Sequence, residues 1–235
     1  MKSVFIFYIS TILCLFIVGC SDDNPFEPQD STPVDIPGSL KAIDFPTADG
    51  NSWRYVSADN HEYTARISGT KNVGGFTTRI MVTDSETPFD YIGSIYQHPV
   101  RKINFTKDVD SYTEYAFELW LDFLDDTFFQ RYLPKRMVWS FPLYKDKEWI
   151  VSKFYTSPEL TYTRKVISNS ENLIVQAGNF SKVFYVEEYA SSESSSDQLL
   201  IGKYWIAPNT GIIKYEFYNP LADANVGYEL KEFKK

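Results

Sequence analysis

The chain has 235 residues, a formal net charge of −8 and an aromatic content of 17%, from 17 Tyr, 18 Phe and 5 Trp. That acidity argues against nucleic acid as a partner and against a basic face for anionic lipid headgroups. Two cysteines and two histidines supply neither a disulfide framework nor a zinc-ligand set.

The chain begins with Met1-Lys2 and an apolar run from Val4 to Val18, interrupted by Ser10 and Thr11. This is shorter than the roughly 20 residues of a membrane-spanning helix and has the length of a signal-peptide core. Ile17-Val18-Gly19-Cys20 follows. The four residues resemble the lipobox of bacterial lipoproteins: aliphatic, small or aliphatic, Gly or Ala, then Cys. The resemblance implies cleavage between Gly19 and Cys20, a diacylglyceryl thioether on Cys20 and a further acyl chain, such as palmitate, on the new amino group. A thiolate suits the S-alkylation this requires. Two or three acyl chains at ~0.8 kcal/mol per buried CH₂ hold a protein on a bilayer, where one chain is marginal. Cys14 lies in the segment that would be removed, so Cys20 would be the one cysteine of the mature chain.

Residues 20–44 read as a tether. Pro25, Pro28, Pro33 and Pro37 oppose helix and sheet. Asp22, Asp23, Glu27, Asp30 and Asp35 precede the first later base, Lys41, and like charges extend a chain. Cys20-Ser21-Asp22-Asp23 is similar to the acidic export signal of Bacteroidota lipoproteins. That resemblance implies an exported protein, lipid-anchored in the outer membrane and surface-facing, with a periplasm-facing orientation as the alternative.

From Phe45 onward, short alternating runs separated by turn residues predict strands. They are Trp53–Val56, Tyr63–Ile67 and Thr77–Val82, with Gly74-Gly75 as a turn, then Tyr91–Tyr96 and Val100–Phe105 around Gln97-His98-Pro99. Tyr115, Phe117, Leu119, Leu121 and Phe123 share one face at period two. Phe123–Leu133 is ambiguous and is also compatible with a short helix. Trp149–Tyr155, Leu160–Ser168, Leu173–Gln176, Phe180–Tyr189, Leu199–Ala207, Ile212–Phe217 and Gly227–Phe233 complete the set, and Ser191–Ser196 reads as a loop. The expected fold is all-β and mainly antiparallel, in residues 45–235: a curved sheet, half-barrel or sandwich, with at most one or two short helices.

Phe45-Pro46 stands eight residues before Trp53, and Phe141-Pro142 stands at the same spacing before Trp149. The two starts divide the domain into 45–140 and 141–235. This is either a duplicated unit or a local echo. In the second half, Val175-Gln176-Ala177-Gly178-Asn179-Phe180 leads into a strand. Trp205-Ile206-Ala207-Pro208-Asn209-Thr210-Gly211-Ile212-Ile213-Lys214 reads as a hairpin turning at Pro-Asn-Thr-Gly. Together these resemble a family of β-rich envelope lipoproteins from Bacteroidota-like bacteria, whose pattern is Pro-Leu-x-x-Gly-x-x-Trp, then Ala-Gly-x-Phe, then Trp-x-Ala-Pro-x-x-Gly-Ile-Val-Lys. The chain departs at Asp146, where the pattern has Gly, and at Thr47, where it has Leu. The family brings no activity with it. Its β-rich pattern also looks like the half-barrels of lipoprotein carriers, which would place Trp53, Trp149, Phe154 and Tyr162 on a concave ligand-facing surface.

Catalytic patterns do not emerge. His61-Glu62 has no second histidine at helical spacing, and His98 precedes Pro99 in a turn. Gly93-Ser94 lacks the second glycine of a nucleophile elbow. Asp122, Asp125 and Asp126 lack the spacing of a calcium loop, and no carboxylate pair is singled out. The expectation is a non-enzymatic binding or assembly module without metal or cofactor, held on a membrane through Cys20, with an envelope protein, lipid or glycan partner and no nucleic acid. A carrier or sensor of an acyl chain and a surface glycan binder are the alternatives.

Overall fold

The computed structural model describes residues 35–84, 100–119, 129–155, 157–195, 197–219 and 223–235. It is all-β apart from one 3-10 turn, Ala42–Asp44. The strands are β1 (Ser52–Ser57), β2 (Glu62–Val73), β3 (Phe76–Thr83), β4 (Val100–Lys107), β5 (Ser111–Leu119), β6 (Phe129–Ser140), β7 (Glu148–Phe154), β8 (Leu160–Val175), β9 (Gly178–Ser192), β10 (Gln198–Ala207), β11 (Gly211–Asn219) and β12 (Ala224–Lys234).

All twelve strands form one antiparallel sheet in the order β6-β5-β4-β3-β2-β1-β12-β11-β10-β9-β8-β7. Each strand therefore pairs with its sequence neighbours, except that β1 pairs with β12 and the consecutive strands β6 and β7 are the two edges. The sheet curls until those edges meet, giving a nearly closed barrel. The indole N–H of Trp149 on β7 donates to the Met137 carbonyl of β6 at 3.1 Å. Arg164 of β8 donates to the Val138 carbonyl of β6 at 2.9 Å. Side chains thus take the place of a main-chain ladder on the β6 edge.

A twelve-strand circumference is wider than the eight strands whose interior ordinary side chains just fill. The high aromatic content meets that demand. Tyr55 stacks on Tyr63 at 5.2 Å, Tyr215 on Tyr228 at 5.5 Å and Phe105 on Tyr112 at 4.4 Å. The Tyr63 and Tyr215 hydroxyls bond each other, so these rings bury their polar tips as well as their faces.

The chain enters through a plug. Leu40, expected in the tether, forms a bridge with Leu143 and is buried, as is Ala42. Residues from Asp35 onward belong to the same unit as the barrel. Phe45 sits between Tyr112 and Phe141, 5.9 and 5.8 Å away. Lys107 fastens the plug by donating to the Ala42 and Phe45 carbonyls at 2.9 and 2.8 Å.

The two Phe-Pro…Trp openings make matching hydrogen bonds. Gly50 N–H donates to Ile67 O and Ile67 N–H to Asn51 O; Asp146 N–H donates to Val166 O and Val166 N–H to Lys147 O. Gly50 and Asp146 both have left-handed φ, 90° and 68°. Both turns need a conformation that costs any residue with a Cβ.

Two sequence expectations shift. Residues 129–133, within the segment left open to a helix, are the start of β6. Pro134 is accommodated because β6 is an edge strand, where a missing N–H costs little. Leu160–Ser168 and Leu173–Gln176 are one strand, β8, which continues through three register shifts against β9. The expected strand Tyr91–Tyr96 and the residues Gln97-His98-Pro99 lie outside the described residues. The bent β8–β9 hairpin reaches past β10 and β11, and Ala177 N–H donates to Leu230 O of β12 at 2.9 Å.

Candidate functional site

The barrel interior holds charges that sequence inspection did not single out. Arg164 donates through Nε and Nη2 to one carboxylate oxygen of Glu188, at 3.0 and 2.7 Å. Tyr204 donates its hydroxyl to the same oxygen at 2.7 Å. The guanidinium lies 4.4 Å from the Trp139 ring centre and 4.2 Å from that of Tyr204. Arg164 thus sits in the corner between two rings set edge to face, 5.6 Å apart, while its N–H edge is satisfied by Glu188 and Val138. A second buried pair, Arg136–Glu114 at 3.2 Å, joins β6 to β5.

Burial alone would push the Glu188 carboxyl up. Arg164, Arg136 and the Tyr204 hydroxyl outweigh it, and the group lies below the usual carboxylate range. It is therefore ionised and engaged, the opposite of a poised proton donor. The signal for this pair was present in phase: Phe184, Val186 and Glu188 alternate on one face of β9, as Arg164 and Val166 do on β8, and all five are buried.

Beside these groups is a cavity of about 40 Å³, lined by Tyr55, Tyr112, Glu114, Trp139, Arg164 and Tyr204 among others. It has room for a few water molecules, whereas sites for small organic ligands run to roughly 300–1,000 Å³.

None of the four aromatics expected to face a ligand lines this cavity. Trp53 is buried, stacks on Phe233 at 5.4 Å and donates to Thr210 O at 2.6 Å. Trp149 is buried against Trp139 at 6.2 Å. Phe154 and Tyr162 meet edge to face at 5.5 Å near the β7 edge. Trp205 faces outward, but Tyr185 stacks on it at 4.9 Å, Lys214 lies over it at 5.1 Å and Glu171 accepts its N–H. His61 is in the exposed β1–β2 turn. Gly19, Cys20, His98, Asp122, Asp125 and Asp126 lie outside the described residues. Among the described residues no group of three His, Cys, Asp or Glu side chains is placed to hold a metal.

No family model matches the chain, and no curated protein matches it. Three solved structures are similar. One, described as a candidate lipoprotein, is from Parabacteroides distasonis ATCC 8503: 15% identity, 83% of this chain and 99% of that chain, TM-score 0.38. A second, described as exported with a YmcC-like fold, is from Bacteroides fragilis NCTC 9343: 12% identity, 84% and 100% coverage, TM-score 0.41. The third is the hypothetical lipoprotein YmcC from Escherichia coli K12: 8% identity, 79% and 85% coverage, TM-score 0.31.

Proposed function

We propose that this chain is an exported lipoprotein, acylated at Cys20 and held on the outer membrane, whose barrel acts as a non-catalytic binding or assembly module. The lipobox residues support the anchor. One observation supports the choice of module over acyl-chain carrier: among the described residues, rings and ion pairs pack around the Arg164–Glu188 pair and leave a space of about 40 Å³ beside it. An acyl chain needs several times that volume. In this reading the partner meets the outside of the barrel or its loops. A tryptophan platform for glycans is disfavoured at Trp205, whose two faces are already covered by Tyr185 and Lys214.

Native and denaturing mass spectrometry of the protein purified from its own envelope tests this reading. The expected denatured mass is that of residues 20–235 plus two or three acyl chains, and the expected native mass is the same. A native mass raised by one discrete lipid or sugar would overturn the module reading in favour of a carrier or glycan binder. Protease treatment of intact cells tests orientation: digestion supports the surface-facing side, and protection until the outer membrane is opened supports the periplasmic one.

A further inference from the structure

In an antiparallel meander, alternate turns lie at the same end. The β2–β3, β4–β5, β6–β7, β8–β9 and β10–β11 turns therefore share the end at which β1 begins and the chain enters. Hydrogen bonds tie this end together. Asn209 N–H, in the β10–β11 turn, donates to Asp44 O at 2.7 Å; Phe141 N–H, after β6, donates to Asp110 O, in the β4–β5 turn, at 2.6 Å.

Large apolar side chains stand exposed at this end on four separate segments. Ile43 of the 3-10 turn is 83% exposed, Val109 of the β4–β5 turn 79%, Ile174 beside the β8–β9 turn 76% and Phe76 beside the β2–β3 turn 51%. Burial in the plug does not consume them: Ile43 stands out between the buried Ala42 and Phe45. Exposed apolar groups gathered at one place mark a contact surface.

What covers them follows from where the chain outside the described part leads. That part begins at Asp35, at this same end, and only residues 21–34 separate it from Cys20. Even fully extended, a segment of that length reaches roughly 50 Å. Acyl chains on Cys20 would therefore keep a bilayer within roughly 50 Å of the chain-entry end, and a contact too weak to form between free molecules becomes an intramolecular one. The charges at this end do not single out an anionic surface. Lys41 and Lys145 are accompanied by Asp35, Asp108 and Asp110, all exposed, so apolar insertion into a neutral lipid interface fits better than headgroup pairing.

We infer that the chain-entry end of the barrel is a membrane-contacting face, with Ile43 and Val109 entering the lipid interface. Ile174 and Phe76 flank that contact. The barrel is thereby held in one orientation, with the β1–β2, β7–β8 and β9–β10 turns directed away from the bilayer. This inference rests on acylation at Cys20.

The test uses the full acylated chain in phosphatidylcholine–phosphatidylethanolamine vesicles. Ile43→Cys, Val109→Cys, Tyr155→Cys and Leu199→Cys are each labelled with a polarity-sensitive fluorophore, Cys20 being blocked by its lipid. Tyr155 and Leu199 are exposed at the opposite end. The expected result is co-flotation of all four with vesicles, a blue-shifted emission at 43 and 109 only, and several-fold stronger quenching there by a nitroxide lipid. Protein that floats with all four labels equally aqueous would overturn the contact while leaving the anchor standing. Protein that stays at the bottom of the gradient would overturn the anchor and the contact together.

Discussion

Trp149 on one edge of the sheet donates its indole N–H to the carbonyl of Met137 on the other edge, at 3.1 Å. At the other junction between the halves, β1 and β12 pair through a main-chain ladder. The barrel is therefore sealed on one side by backbone and on the other by side chains. Trp149→Phe keeps the packing and removes the bond. The expected loss is about 1–2 kcal/mol, the cost of leaving a buried acceptor unmet. Urea denaturation measures it, and hydrogen exchange should quicken in β6 and β7 before β1 and β12. Equal protection of both junctions in the variant would refute the role given to Trp149.

The Arg164–Glu188 pair makes a prediction with two arms. Glu188→Gln leaves a buried guanidinium beside Trp139 and Tyr204 without its counter-charge, and the expected destabilisation is about 3–5 kcal/mol. Arg164→Met combined with Glu188→Leu removes both charges and should cost much less than the single change. Denaturation midpoints of the three proteins decide it. A double variant as unstable as the single one would show that packing around the side chains, not the uncompensated charge, dominates.

Asp146 occupies a left-handed turn, φ 68°, matching Gly50 at φ 90°. Asp146→Gly should stabilise the protein by roughly 0.5–1 kcal/mol, since glycine adopts that conformation without the Cβ penalty. Gly50→Ala should destabilise by a similar amount. A Cβ at Gly50 would meet nothing within 4 Å, so that measurement isolates backbone strain from crowding. Thermal melts of the two variants should move in opposite directions.

Burial lowers the Lys147 ammonium to about 8, from an ordinary 10.5, with Asp110 opposing the shift. Between these two values the unfolded chain binds the proton and the folded chain does not, so stability rises with pH. Lys107 is shifted down as well, also chiefly by burial, and adds to the rise. Tyr55 and Tyr63 are pushed above 10.0, chiefly by burial. From pH 10 upward the folded chain keeps their protons and the unfolded chain does not, so stability falls. Urea midpoints from pH 7 to 11 should rise, pass a maximum near pH 10 and decline. Lys147→Met should shrink the rise and leave the decline. At the acid side the depressed Glu188 carboxyl loses its contribution as pH falls below the unfolded value of about 4.3.

Much of the barrel was legible in period-two runs such as Trp53-Arg54-Tyr55 and Phe184–Glu188, because one face of each strand must meet the interior. The segment around Phe129 was not, because Phe128, Phe129, Tyr132 and Leu133 also fit a helical face and Pro134 argues against an inner strand. Its edge position, a tertiary fact, resolves the conflict. The polar stretch Ser168–Asn172 reads locally as a loop; it stays a strand because β9 pairs with it through repeated register shifts. Phase alone placed Arg164 and Glu188 on the inward face. Their partnership was invisible because 24 residues separate them and only pairing of β8 with β9 brings them together. Trp53 and Trp149 read as ligand-facing in the sequence and are buried core rings in the barrel, since curvature of the sheet is set by all twelve strands at once.

The β1–β12 ladder also sets an order of events during synthesis. β1 is synthesised early, and its partner β12 is the last of the twelve strands. Until then the β1 edge has no mate, and Trp53 and Tyr55 lack the acceptors they find 157 residues later, at Thr210 and Ile212. Such sequence-distant closure is slow compared with hairpin formation, and an open strand edge invites pairing with other chains. Ten of the eleven neighbouring pairs join consecutive strands, while this one waits for β12. The nascent barrel is thus a ribbon that becomes a ring in its final step, and its exposure to misassembly is timed by the arrival of the last eleven-residue strand.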